Sequence, residues 1–241
     1  MITETASTIS GDAGARRPLR VRNLSGWRRT AVFMVGRGIT PNAISIVGLV
    51  AGVAGGAVLA ATSLDGANGR LLLLAGLVLM VARAFCNILD GVMAIELGAA
   101  TRVGALFNEV PDRVSDAAVL VGAGYAVGGV PELGWAAALG AVFAAYVRVQ
   151  GQVAGAPADY GGLFGKPGRM IVLSACMLVL LLVPGSVGFE VGFGSDLRMG
   201  IMGIGTAVVA VGTVATSWFR LRRAARELSR PYPKSASTQK N

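Results

Sequence analysis

Residues 71–95 read LLLLAGLVLMVARAFCNILDGVMAI, and the two halves of this run make opposite demands on their surroundings. Residues 71–82 contain no charged side chain, and a helix made of them wants lipid around it. Arg83, Asn87 and Asp90 then follow at i, i+4 and i+7, which places a guanidinium, an amide and a carboxylate on one helical face. Charged groups at membrane depth need partners, and their presence marks a functional face. The run therefore predicts a membrane span that carries chemistry toward one end.

The rest of the chain fits that setting. Of 241 residues, 54% are hydrophobic and 15% charged. The mean hydropathy of +0.63 is too apolar for a soluble domain of this length. Six stretches suffice for spans of ~20 residues, namely 43–61, 71–89, 103–125, 135–153, 170–183 and 199–219. The fold class expected is an all-α polytopic membrane protein of six transmembrane helices, preceded by an amphipathic helix on the cytoplasmic side.

Cations orient the bundle. Arg16, Arg17, Arg20, Arg22, Arg28, Arg29 and Arg37 precede the first span, and Arg220, Arg222, Arg223 and Arg226 follow the last. By the positive-inside rule both termini are cytoplasmic, which requires an even number of spans in the inner membrane. The even connections carry Arg102, Arg148, Lys166 and Arg169, whereas the odd ones carry Arg70, no cation and Arg198. The first forty residues lack the apolar core of a signal peptide.

Four segments result: a polar basic arm over 1–22, an interfacial helix over 23–38, a membrane domain over 39–222 and a basic tail over 223–241. Pro41 stops continuation from upstream, and Asn42 is expected to cap the first span. Gly48, Gly52, Gly55 and Gly56 suit close packing of that span on a neighbour.

Composition also excludes chemistry. The chain has no histidine, which removes histidine triads and histidine-ligated metals. Cys86 and Cys176 have no paired spacing. The net charge of +9 suits anionic headgroups or phosphorylated substrates, and no soluble domain is left to present a nucleic-acid groove. No internal repeat points to a transporter.

Five of the thirteen acidic residues, Asp90, Glu96, Glu109, Asp112 and Asp116, lie between positions 90 and 116. Asn87, Asp90 and Ala94 share a face of one helix, and Gly104, Asn108 and Asp112 share a face of the next. Convergent carboxylate and amide oxygens suit a hard divalent cation, which could clamp a pyrophosphate. Gly91, Ala94 and Gly104 either clear space for a nucleotide or allow close helix packing.

These residues resemble the signature of the CDP-alcohol phosphotransferases, D-x2-D-G-x2-A-R-x8-G-x3-D-x3-D. Here NILDGVMAI occupies 87–95, eight residues follow, and GALFNEVPD occupies 104–112, so the spacing is kept throughout. TPNAIS over 40–45 resembles the family's entry to its first span. The resemblance implies that Asn87, Asp90, Asn108 and Asp112 hold a divalent cation, Mg²⁺ or Mn²⁺. It implies that Asp112 takes the acceptor's proton and that Asn42, Gly91, Ala94 and Gly104 line the nucleotide site. The implied reaction moves a substituted phosphoryl group from a CDP-linked lipid to an alcohol or polyol phosphate, releasing CMP in phospholipid synthesis. Residues 112–116 (DRVSD) and 146–148 (YVR) resemble the phosphatidylinositol-phosphate synthase branch, and the resemblance also implies a homodimer.

The chain departs from the signature where Asn87 and Asn108 stand for aspartates and Ile95 for arginine. An asparagine ligates a hard cation without charge, so fewer ions than usual are expected, and a non-catalytic relative that binds lipid or a partner is the alternative reading. Arg83 lies ~10 Å deeper than Asp90 and is expected either to pair with Asp116 or to supply charge that a missing metal would have given. Glu96 and Glu109 sit off the matching faces, as replacement ligands or as solvated groups. Arg148, Lys166 and Arg169 either bind a phosphate or only satisfy the positive-inside rule.

Overall fold

The computed structural model describes residues 25–62, 68–96, 102–193 and 197–229. Among them run seven α-helices: α1 (Ser25–Gly36), α2 (Pro41–Ala61), α3 (Gly69–Glu96), α4 (Arg102–Tyr125), α5 (Pro131–Val153), α6 (Lys166–Leu182) and α7 (Ile201–Leu228). The segments expected at 1–22 and at the end of the tail lie outside the described residues.

One element departs from the all-α expectation. β1 (Val191–Phe193) and β2 (Leu197–Met199) form a short antiparallel pair between α6 and α7, with Val191 opposite Met199. Pro184 follows the end of α6 and Gly185 takes φ 79°, so the helix cannot continue. Pairing two extended segments then satisfies backbone groups that a glycine-rich helix would have used poorly.

Among the described residues four helices are long and apolar enough to cross a membrane: α2, α3 through Ala94, α5 and α7. The other two expected spans differ for a physical reason. α4 carries Glu109, Asp112, Arg113 and Asp116, and α6 has only 17 residues and begins with Lys166 and Arg169. These two helices give up apolar length to hold charge.

The start of α2 corrects one expectation. Thr40, not Asn42, is the N-cap, and its hydroxyl accepts from the Ala43 amide at 3.2 Å. Pro41 occupies the first helical position, where its missing N–H costs nothing. Asn42 therefore falls inside the first turn.

α2 packs between α3 and α4, and α5 packs between α4 and α7. Glycine permits the closest approach: a Cβ at Gly56 would lie 2.2 Å from the Ala118 carbonyl oxygen, and one at Gly122 would lie 2.1 Å from that of Gly56. Leu59, Leu73, Met80, Leu120, Met177 and Met202 fill the core beside this contact. Outside it, Leu71, Val78, Leu139, Ile171, Val211 and Val214 are exposed, a surface suited to lipid.

α1 lies against the end of α3. Ala31 is fully buried with Ile44, Leu89, Val92 and Met93, and the Trp27 ring meets Phe85 at 5.3 Å. Arg28 and Arg29 face outward, as the amphipathic pattern requires.

Candidate active site

All six long helices bring polar side chains to one end of the bundle. Pro111 lies inside α4 next to Asp112, and its missing N–H leaves the carbonyl one turn earlier without its helical donor. At this irregular turn Asp112 faces α3. Asn87 donates its amide to both Asp112 oxygens at 3.0 Å each. Arg83 reaches Asp112 Oδ1 at 3.1 Å, and Lys166 of α6 reaches Oδ2 at 2.6 Å. A carboxylate offers about four lone-pair directions, so Asp112 is saturated.

One turn deeper, Asp116 is held between two guanidiniums. Arg83 lies 2.7 Å from Oδ1 and Arg169 lies 3.0 Å from Oδ2, with all three side chains at most 3% exposed. Arg83 also donates Nε–H to Ser115 at 2.9 Å. The expected partners Arg83 and Asp116 are thus in contact, and Asp112 shares the same arginine. A buried ion pair of this kind specifies geometry more than it adds stability.

Asp90 stands apart from this network. It is 5% exposed, and Ser45 of α2 donates to its Oδ2 at 2.6 Å. Glu109 instead takes Arg113 of its own helix and Arg148 of α5, the latter at 2.8 Å. Glu109 is therefore paired with two arginines rather than simply solvated. The side chain of Glu96 lies outside the described residues.

These groups surround a cavity of about 140 Å³. Asn87, Asn108, Glu109, Asp112 and Arg113 line it together with Arg148, Tyr160, Lys166, Arg169 and Arg220. The 154–165 connection closes the rim: the Tyr160 ring lies 5.0 Å from the Arg148 guanidinium, and the Gly161 carbonyl accepts Arg220 Nε–H at 3.0 Å. Arg220 also donates to the Ala144 carbonyl at 2.8 Å, which ties α5 and α7 to that connection. Four carboxylates, Asp90, Glu109, Asp112 and Asp116, stand against six cations, Arg83, Arg113, Arg148, Lys166, Arg169 and Arg220, so the site favours an anion.

The structure brings Asn87, Asn108, Asp112, Arg148, Lys166 and Arg169 to the cavity wall. It does not place Asn42, Asp90, Gly91, Ala94 or Gly104 there. Ser45, Arg113, Tyr160 and Arg220 take part without having been singled out as site residues. Arg113 was legible as the i+4 partner of Glu109. Ser45 and Arg220 carry no local signal, because their partners lie 45, 59 and 76 positions away, and Tyr160 meets Arg148 only through the turn of the 154–165 connection.

The donor set can be tested against a divalent cation. Asn108 Oδ1 is a buried acceptor without a hydrogen-bond partner, and Asp90 and Asp112 supply two carboxylates. Among the described residues no three acidic or cysteine side chains gather to hold a metal. Two carboxylates with amide oxygens fit one hard cation. They do not fit two, whose four positive charges would meet only two negative ones.

A helical bundle with four described helices apolar enough to cross a membrane, and a cavity lined by cations at one end, defines the class as a helical membrane protein. The chain belongs to the CDP-alcohol phosphatidyltransferase family, whose sequence profile matches residues 38–226. It is 27% identical over 192 residues to a phosphatidylinositol phosphate synthase of Streptomyces avermitilis, covering 77% of this chain and 72% of that one. The fold resembles that of the Mycobacterium tuberculosis phosphatidylinositol phosphate synthase solved with manganese and citrate, with a TM-score of 0.66, 23% identity, and coverage of 86% of this chain and 93% of the other. The same enzyme with CDP-DAG bound superposes with a TM-score of 0.65 at 23% identity, covering 86% and 98%.

Proposed function

We propose that the chain transfers a substituted phosphoryl group from CDP-diacylglycerol to the hydroxyl of a polyol phosphate, releasing CMP at the cytoplasmic face of the inner membrane. The observation that carries this reading is the cavity, which Asp112 lines together with the cations Arg148, Lys166 and Arg169. Family membership and the relatives named above support the reaction class.

In the proposed step the acceptor oxygen bonds to the lipid-bearing phosphorus. The pyrophosphate P–O bond breaks, CMP leaves with the bridging oxygen, and the hydroxyl proton passes to Asp112. Asn87 and Arg83 hold that carboxylate in place. Lys166 is on a flexible stem at the cavity wall, so an acceptor phosphate competes with Asp112 for its ammonium and frees Oδ2. Arg148 and Arg169 would hold the same phosphate. A divalent ion held by Asp90, Asn108 and Asp112 would neutralise the donor pyrophosphate.

The reading includes six membrane spans, with α4 and α6 crossing under cover of their neighbours. It also includes α1 on the inner leaflet, both termini in the cytoplasm and assembly as a homodimer. Gly91, Ala94, Gly104 and Asn42 would border the nucleotide.

The test is CMP release by purified protein given CDP-diacylglycerol, a panel of polyols and polyol phosphates, and Mg²⁺, Mn²⁺ or Ca²⁺. Release that depends on a phosphorylated acceptor is expected. Neither release nor CDP-lipid binding with any ion would sink it. The saturation of Asp112 by Asn87, Arg83 and Lys166 favours a second reading, a lipid-binding relative without turnover. That reading expects tight CDP-lipid binding with no CMP under every acceptor.

A further inference from the structure

We propose that this site takes no more than one divalent ion, and that Arg83 and Lys166 supply from the protein the charge of a second. The inference deepens the proposed function and rests on it only for the identity of the ligand, because an ion count needs no turnover.

Lone pairs limit what the carboxylates of this site can hold. Asp112 spends its four on two Asn87 contacts, Arg83 and Lys166. A metal bound to Asp112 must displace one of them. Asp116 has an arginine on each oxygen and is buried, so it cannot turn outward as a substitute. Glu109 is committed to Arg113 and Arg148.

That leaves Asp90 and the partnerless carbonyl oxygen of Asn108, with Asp112 once Lys166 turns away. This set carries charge enough for one hard cation. A second would stand close to the first, ~4 Å away in two-metal sites, with Arg83 and Lys166 already adding positive charge beside it. Repulsion decides against it.

The fixed cations are well placed for the substitution. Packing holds Arg83 at 2% exposure. Lys166 lines the cavity, and its ammonium makes an ion pair but no further hydrogen bond. It can turn to a phosphate without leaving another partner unsatisfied.

The experiment counts Mn²⁺ by electron paramagnetic resonance on the purified full chain in detergent, with and without CDP. At most one bound ion per chain, with no spectral coupling between neighbouring ions, is expected. Two bound ions with a coupled spectrum would overturn the proposal. The triple variant Asn87→Asp, Asn108→Asp, Lys166→Gln restores two carboxylates and removes one cation, and its count should rise by one ion per chain. A folded triple variant whose count does not rise would also overturn it, since the amides and the lysine would then not be what excludes the ion. Failure of CDP to bind at all would count against the proposed function and leave the ion count readable.

Discussion

The two ends of this bundle are made by the same six helices and held by different forces. At one end Arg83, Asp112, Asp116, Lys166 and Arg169 form a buried ionic network around a cavity. At the other, backbone groups do the joining: the Gly128 carbonyl accepts from Gly200 and Gly203 at 2.9 Å each, and Thr62 accepts from the Val127 amide at 3.0 Å. The ion pair described there, Arg198 with Glu190, is 3.6 Å long, with its arginine 78% exposed. Charge that is buried is charge with a task, because lipid and protein both penalise it until it is paired. The quiet end shows that the fold itself does not need such a network.

If that contrast is right, substitutions should fall into two classes. The largest effect is expected for Asp112→Ala, which should lower CMP release by on the order of 10³- to 10⁴-fold, the upper range for losing a general base. Retained thermal stability in detergent would locate that loss in chemistry. Arg83→Met leaves Asp112 and Asp116 short of a shared cation. It should destabilise the protein by about 3–5 kcal/mol, read as a fall in the midpoint of thermal aggregation.

Arg148→Gln should raise the acceptor KM by about 10- to 100-fold, as expected for losing a charged hydrogen bond of about 1.5–3 kcal/mol, with a smaller change in kcat. At the other end, Gly128→Ala forces a side chain into φ 65°, with its Cβ 3.0 Å from the Gly200 Cα. A cost of about 1–2 kcal/mol in stability is expected, with kcat per folded molecule unchanged. The smallest effect belongs to Glu190→Gln, which should shift stability by less than about 1 kcal/mol, as exposed ion pairs do. An effect of Glu190→Gln as large as that of Arg83→Met would erase the distinction between the ends.

Much of the site was legible because helical spacing is rigid. Asn87 and Asp90 on α3 and Asn108 and Asp112 on α4 follow from periods of three and four, and the Arg83–Asp116 contact follows from depth along two neighbouring helices. Asp90 shows where spacing stops helping. It shares a helix face with Asn87, yet Ser45 of α2 holds it and it does not line the cavity. The spacing sets Glu109 off the Asn108–Asp112 face, yet it lines the same cavity, where Arg148 arrives from α5 and gives it a partner. Arg220 was read as a tail cation and turns out to brace the cavity rim.

The amino-acid sequence alone pointed to a membrane protein of mostly helical build and to the family whose profile matches residues 38–226. Hydropathy and helical period are local properties, and local properties survive in one dimension. The tertiary structure decided which charges meet. Whether Asp112 faces a metal or is filled by Asn87, Arg83 and Lys166 depends on how three helices rotate against one another. That rotation is set by contacts such as Gly56 against Ala118, where the absence of a side chain, rather than its presence, fixes the distance.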